Sequence, residues 1–359
     1  MNNKPDLFSP IKIGPYTLRN RITMAPMTRN RAGKGNVPHE LNTIYYAQRA
    51  SAGLIITEAS QISPQGVGYP ATPGIHSAEQ IEGWKQITKA IHDKGGRVFM
   101  QLWHVGRISH PSLQPDGQLP VAPSAIKPSG QAVTYTGMQD YVEPRVLDKG
   151  ELPGIVADYV AAARNAMEAG FDGVEVHAAN GYLLDEFLRD GSNQRKDDYG
   201  GSIENRYRLL KEVMTAVCDA IGPDKVGVRI SPENSFNDMK DSDPQNTFNH
   251  VTEMLDNFKL AYLHVLEGDM PTQTRSIDYQ QIRDRFHGPY MANCAYDFDK
   301  AQSAIANNQA DMVSFGYLYI GNPDLVERFK AGAELNQADR STFYGGDAKG
   351  YTDYPAMME

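Results

Sequence analysis

The sequence predicts an α/β fold, a (β/α)8 TIM barrel, on three observations. Eight short apolar segments recur along the 359 residues. Helix-periodic stretches separate them. The strand candidates are apolar nearly throughout, the pattern of a parallel sheet covered on both faces. A single domain over residues 1–359 is expected, because no repeat, low-complexity tract or linker divides the chain.

Residues 10–20 read as a small hairpin, with Ile11-Lys12-Ile13 and Tyr16-Thr17-Leu18 around a Gly14-Pro15 turn. The strand candidates then run Ile22 to Pro26, Leu54 to Thr57, Val98 to Leu102, Val174 to His177, Val226 to Ile230, Tyr262 to Leu266, Pro289 to Ala292 and Met312 to Phe315. Between the second and third, Ser77 and Gln80 stand at capping-box spacing. Ile81, Trp84, Ile87 and Ile91 form a helical stripe that stops before Gly95-Gly96. A helix from about Ser202 to Ile221 carries Ile203, Tyr207, Leu210, Met214 and Val217 on one face. Asp243-Pro244 and Asn322-Pro323 each place a cap residue before a proline at a first helical position. The rhythm breaks at about residues 104–150, which are rich in Pro, Gly and Ser and precede a helix starting near Leu152. So long a stretch is expected to form a small cap on the C-terminal rim, where barrels build their sites.

Composition excludes several functions. The 35 lysines and arginines against 44 aspartates and glutamates leave a net charge of −9, which argues against nucleic acid or an anionic membrane as partner. Two cysteines, Cys218 and Cys294, supply neither a disulfide framework nor an iron–sulfur cluster. Met1 to Asp6 lack the apolar core of a signal peptide, and no apolar run is long enough to span a bilayer. A cytoplasmic protein without a metal is expected.

Polar residues at strand C-termini are the chemical candidates. The fourth strand ends His177-Ala178-Ala179-Asn180-Gly181-Tyr182, so an imidazole, an amide and a phenol leave one strand end with little bulk between them. His177 and Asn180 can donate to one oxygen, and Tyr182 can supply a proton. A backbone-bonded core histidine and a packing tyrosine fit the same ten residues equally well. The first strand ends Pro26-Met27-Thr28, the second Glu58-Ala59, the third Gln101-Leu102-Trp103-His104 and the fifth Arg229-Ile230-Ser231-Pro232. Arg229 interrupts an apolar strand and needs either a carboxylate neighbour or an anionic ligand.

Taken together, Met24-Ala25-Pro26-Met27-Thr28, Gln101 to Arg107, His177 to Leu183, Ser192-Asn193-Gln194-Arg195, Tyr199 to Arg206, Tyr344-Gly345-Gly346 and Gly350 to Pro355 resemble the Old Yellow Enzyme family, from about residue 6 to residue 355. That family consists of FMN-dependent ene-reductases using NAD(P)H. The resemblance implies that Thr28 bonds the flavin O4, flanked by Pro26 and Met27, and that Ala59 offers a backbone N–H nearby. Gln101 would bind the pyrimidine edge and Arg229 the N1 and C2 carbonyl region. His177 and Asn180 would grip a carbonyl or nitro oxygen, and Tyr182 would protonate the carbon α to that group. Tyr69, Trp103 and Tyr351 resemble the aromatic pocket wall. Implied substrates are electron-poor alkenes such as α,β-unsaturated carbonyls, with nitro compounds and nitrate esters beside them. The implied reductant is NADPH ahead of NADH, taking turns with substrate over one flavin face, so the absence of a G-x-G-x-x-G motif is no objection. A monomer or homodimer is expected.

The phosphate end departs from the family. Tyr317 stands where Phe-Gly-Arg is usual, after Phe315-Gly316, and Asn293-Cys294-Ala295 replaces a Gly-rich turn. Backbone amides at Asn293, Cys294, Ala295, Gly316 and Tyr317 remain for the phosphate, with the Asn293 side chain and the Tyr317 hydroxyl. FMN is expected to bind more weakly by roughly ten- to a hundredfold. The alternative is a flavin-poor barrel that acts as a binding or interaction protein.

Overall fold

The structure is a computed structural model describing residues 4–357. Met1 to Asn3, part of the stretch read for a signal peptide, lie outside the described residues, as do Met358 and Glu359. Strands β1 (Ile11–Ile13) and β2 (Tyr16–Leu18) form the expected hairpin around Gly14. Its φ of +51° suits glycine, and a Cβ there would lie 1.8 Å from the Asp224 carbonyl oxygen. Ile13 and Leu18 pack with Leu54, Phe99, Tyr262, Met291 and Met312, and so plug the N-terminal end of the barrel.

The barrel opens with β3 (Ile22–Met24) and β4 (Leu54–Ile56); β5 (Ser60–Gln61) extends the edge of β6 (Val98–Trp103). The cap follows, with β7 (Val121–Ala122), the antiparallel pair β8 (Gln131–Thr134) and β9 (Gly137–Asp140), and β10 (Arg145–Val146), which returns beside β7. Then come β11 (Gly173–Ala178), β12 (Val226–Ile230), β13 (Tyr262–Leu266), β14 (Tyr290–Asn293) and β15 (Met312–Phe315). Every barrel neighbour is parallel. The ring closes where β15 meets β3, with Phe315 opposite Met24, and β6 meets β11, with Gln101 opposite Glu175. All eight expected strands are present, within two residues at each end.

The helices follow their sequence signals. They are α1 (Glu40–Gln48), α2 (Ala78–Asp93), α3 (Leu152–Glu168), α4 (Leu183–Leu188), α5 (Ile203–Ile221), α6 (Pro244–Asp256), α7 (Tyr279–Arg285), α8 (Phe298–Ala306), α9 (Tyr317–Gly321) and α10 (Leu325–Ala331). Ser77 and Gln80 form the capping box of α2, and Asp243 caps α6. Asn322-Pro323 departs from expectation. Asn322 closes α9 by donating to the Leu318 carbonyl at 2.9 Å, and α10 starts only after Asp324. The Asn322 side-chain oxygen also accepts the Asn336 N–H at 2.7 Å, so the residue serves a helix end and a returning chain. No helix among the described residues is long and apolar enough to cross a membrane.

Candidate active site

A cavity of about 1040 Å³ opens at the C-terminal end of the barrel strands. Its wall includes Pro26, Met27 and Thr28 after β3, Ala59 after β4, Gln101 and Trp103 of β6, and His177, Asn180 and Tyr182 from β11 and its turn. Arg229 of β12 and Gly316 and Tyr317 after β15 complete that part of the wall. One cavity therefore gathers residues spread over nearly three hundred positions.

The turn after β11 is tightly built. Asn180 sits in the left-handed region at φ +60°, which asparagine tolerates, and its N–H donates to Ser231 Oγ at 2.8 Å. Its side-chain oxygen accepts from Asn234 Nδ2 at 2.9 Å, leaving the Asn180 amide N–H groups for the cavity. A Cβ on Gly181 would meet Met239 Cγ at 2.6 Å, so only glycine lets this turn pack. Tyr182 follows, 8% exposed, with its hydroxyl 3.2 Å from that of Tyr69. Burial pushes its phenol up to about 12, so it holds its proton across the physiological range. Burial first, then the Arg229 guanidinium and the neighbouring His264, hold the His177 imidazole well below its usual range. His177 is thus neutral and keeps one N–H donor, while its buried Nδ1 has no partner among the described residues. Trp103 stacks on Tyr69, with centroids 5.6 Å apart, and meets Tyr182 edge-on at 4.9 Å.

Arg229 finds the carboxylate neighbour that the sequence allowed, and a side-chain amide oxygen besides. Its Nη2 donates to the Asn293 side-chain oxygen at 2.9 Å, and the Glu175 carboxylate stands close enough to favour its charge. Its buried Nε has no partner among the described residues, and the residue faces the cavity. Glu175 also accepts from Gln101 Nε2 at 2.7 Å and from His264 Nδ1 at 2.9 Å. Burial would raise its carboxyl, but His264 first, and then Arg229 and Gln101, bring it below its ordinary value.

Two expectations fail. Tyr351 is absent from the cavity wall. It is fully buried, stacks on Tyr45 at 4.1 Å, and accepts from Asn42 Nδ2 at 2.9 Å. The reason is a clamp: Arg29 donates to the carbonyls of Phe343 and Gly350, both at 2.8 Å, and Arg31 to that of Thr342 at 2.9 Å. This draws residues 342–350 onto the barrel and brings Tyr344, 70% exposed, to the wall instead. The Asn293 side chain is also not free for a phosphate, since its amide nitrogen donates to the Ser314 carbonyl at 3.0 Å while its oxygen holds Arg229. Asn293, Cys294 and Ala295 lie off this wall, and the last two adopt φ of +93° and +54° where glycine would be unstrained. Residues that sequence reasoning missed include Glu175 and Asn234, which bond Gln101 and Asn180 from behind the wall, and on the wall Tyr344, Thr134 and Tyr135 of the cap, and Phe236 and Met270 at the rim.

The donor set fits the ring of a flavin. Gln101 offers an amide oxygen and Arg229 an unpartnered N–H on one side of the cavity, while Gly316 is open enough that an added Cβ would meet nothing closer than 3.5 Å. The chain matches the model of the NADH:flavin oxidoreductase / NADH oxidase family over residues 6–336. It belongs to that family. Membership makes it an FMN-dependent oxidoreductase that draws on a reduced nicotinamide. The chain is similar to 12-oxophytodienoate reductase 1 of Oryza sativa subsp. japonica, 44% identical over 98% of this chain and 93% of the relative. Among solved structures, morphinone reductase superposes with a TM-score of 0.95 at 48% identity, covering 99% of this chain and 97% of that one. An Old Yellow Enzyme homologue from Zymomonas mobilis gives 0.96 at 46% identity, covering 98% and 100%. The resemblance read from the motifs thus holds, and a flavin-poor binding barrel finds no support beside it.

Proposed function

We propose that the protein reduces electron-poor alkenes, α,β-unsaturated carbonyl compounds above all, with NADPH ahead of NADH as reductant. The observation that carries this reading is the convergence of His177, Asn180 and Tyr182 on the same cavity as Gln101 and Arg229. Thr28, Ala59, Gln101 and Arg229 would hold the ring of FMN, and Gly316 and Tyr317 its phosphate end. FMN, when bound, supplies the hydride chemistry, which no side chain of this site can provide. The neutral N–H of His177 and the amide of Asn180 hold the activating oxygen of the substrate and stabilise the negative charge that grows there. Tyr182 keeps its proton at the phenolic oxygen and delivers it to the carbon α to that group. Tyr69 and Trp103, stacked on each other, would wall the substrate side of the cavity.

Nitro compounds and nitrate esters fit the same donor pair. A cytoplasmic location and a monomer or homodimer belong to the same proposal. The visible spectrum of the purified protein, before and after loading with FMN and desalting, is the test. A yellow band bleached by NADPH and restored by cyclohexenone is expected. A colourless protein that fails to retain added FMN would remove this reading.

A further inference from the structure

We propose that Glu175 is a positioning residue that fixes which atom Gln101 presents to the flavin and balances the charge of Arg229. This rests on the FMN reading above. Glu175 lies two residues before His177 on β11, one layer deeper in the barrel, and is 0% exposed. No step assigned to the site uses it. The strand register places it opposite Gln101 on one side and Gly227 on the other. Gly227 has no side chain to spare, because a Cβ there would lie 2.4 Å from the Tyr262 ring.

A carboxylate only accepts hydrogen bonds. Gln101 must therefore turn an N–H toward Glu175, as it does at 2.7 Å. Its carbonyl oxygen bonds no described residue and is left for the cavity, as the acceptor a ring N–H requires. The other carboxylate oxygen takes the Nδ1–H of His264 at 2.9 Å, and His264 Nε2 accepts the hydroxyl of Ser314 at 2.8 Å. Ser314 and His264 thus lock the carboxylate from behind. The same negative charge offsets the guanidinium of Arg229, which would otherwise favour the reduced, anionic flavin more strongly.

Glu175→Gln keeps the shape, removes the charge and lets the Gln101 amide turn over. The readout is the midpoint potential of the FMN-loaded protein by dye equilibration, with the flavin absorption band beside it. Reduced FMN is expected to gain on oxidised FMN by roughly tenfold, the effect of one charged hydrogen bond. For this two-electron couple that is a rise of about 30 mV. An unchanged or lowered potential in a folded, FMN-loaded variant overturns the proposal. If circular dichroism shows that Glu175→Gln does not fold, Ser314→Ala decides. It releases the His264 end, and a smaller rise in potential is expected; no rise overturns the proposal. Wild-type protein that takes up no FMN would instead remove the functional reading, and this inference with it.

Discussion

Asn234 donates its side-chain N–H to the side-chain oxygen of Asn180 at 2.9 Å, and so decides which end of the Asn180 amide faces substrate. Asn234→Ala should free that amide to turn its oxygen toward the ligand. Phenol affinity and kcat/KM with an enone are both expected to fall about tenfold, the worth of one well-made hydrogen bond to a charged oxygen. His177→Ala removes the other donor and should cost roughly 3–4 kcal/mol in the same reaction. Phenol titration of the flavin band measures both, and unchanged affinity in either variant would count against the donor pair.

Tyr182→Phe should separate the two halves of turnover. Reduction by NADPH uses no group on Tyr182 and is expected to keep its rate. Reoxidation by cyclohexenone should slow by about 10²–10⁴, the usual contribution of a placed proton donor. Stopped-flow traces at the flavin band resolve the two phases. A collapse of the first phase would move Tyr182 into another role.

The pH profile of that second phase should be flat. The phenol of Tyr182, pushed up to about 12 by burial, stays protonated in alkali. The imidazole of His177, pushed down by burial and by Arg229, stays neutral in mild acid. Reoxidation rates measured from about pH 6 to about pH 9, a range that brackets neither shifted group, should not titrate. A midpoint near the ordinary histidine value would show that His177 ionises during turnover.

Tyr317 is 43% exposed, with the guanidinium of Arg340 5.9 Å from its ring. Tyr317→Arg should tighten FMN by about ten- to a hundredfold through a charge-assisted contact to phosphate. Flavin fluorescence titration of the apoprotein gives the comparison. Equal affinities would show that backbone amides already satisfy the phosphate.

Tyr344 and Tyr351, seven residues apart, should behave as opposites. Tyr344→Ala is expected to change KM for bulky enones and leave the melting temperature alone. Tyr351→Leu strips the stack on Tyr45 and the hydrogen bond from Asn42, and should cost about 2–4 kcal/mol of stability. Thermal melts with steady-state kinetics on both variants distinguish them.

Much of this was legible in the chain because the signals were local. Val226 to Ile230 reads as a buried strand from composition alone, and Ser77 with Gln80 announces a helix start. His177, Asn180 and Tyr182 were legible because three chemical groups share one turn. Glu175 was hidden because its partners, Gln101 and His264, lie 74 and 89 positions away and meet it only through strand register. Tyr351 misled because the resemblance that named it says nothing about two arginines, far upstream, that seize the carbonyls of Thr342, Phe343 and Gly350. Asn322 misled because Asn-Pro opens helices and equally closes the one before.

That arginine clamp also orders events in time. Arg29 and Arg31 emerge from the ribosome more than three hundred residues ahead of the carbonyls of Thr342, Phe343 and Gly350 that they hold. Until then the two guanidiniums lack those carbonyls and one side of the cavity lacks Phe343 and Tyr344. A nascent chain stalled before residue 342 should therefore emerge colourless however much FMN surrounds it.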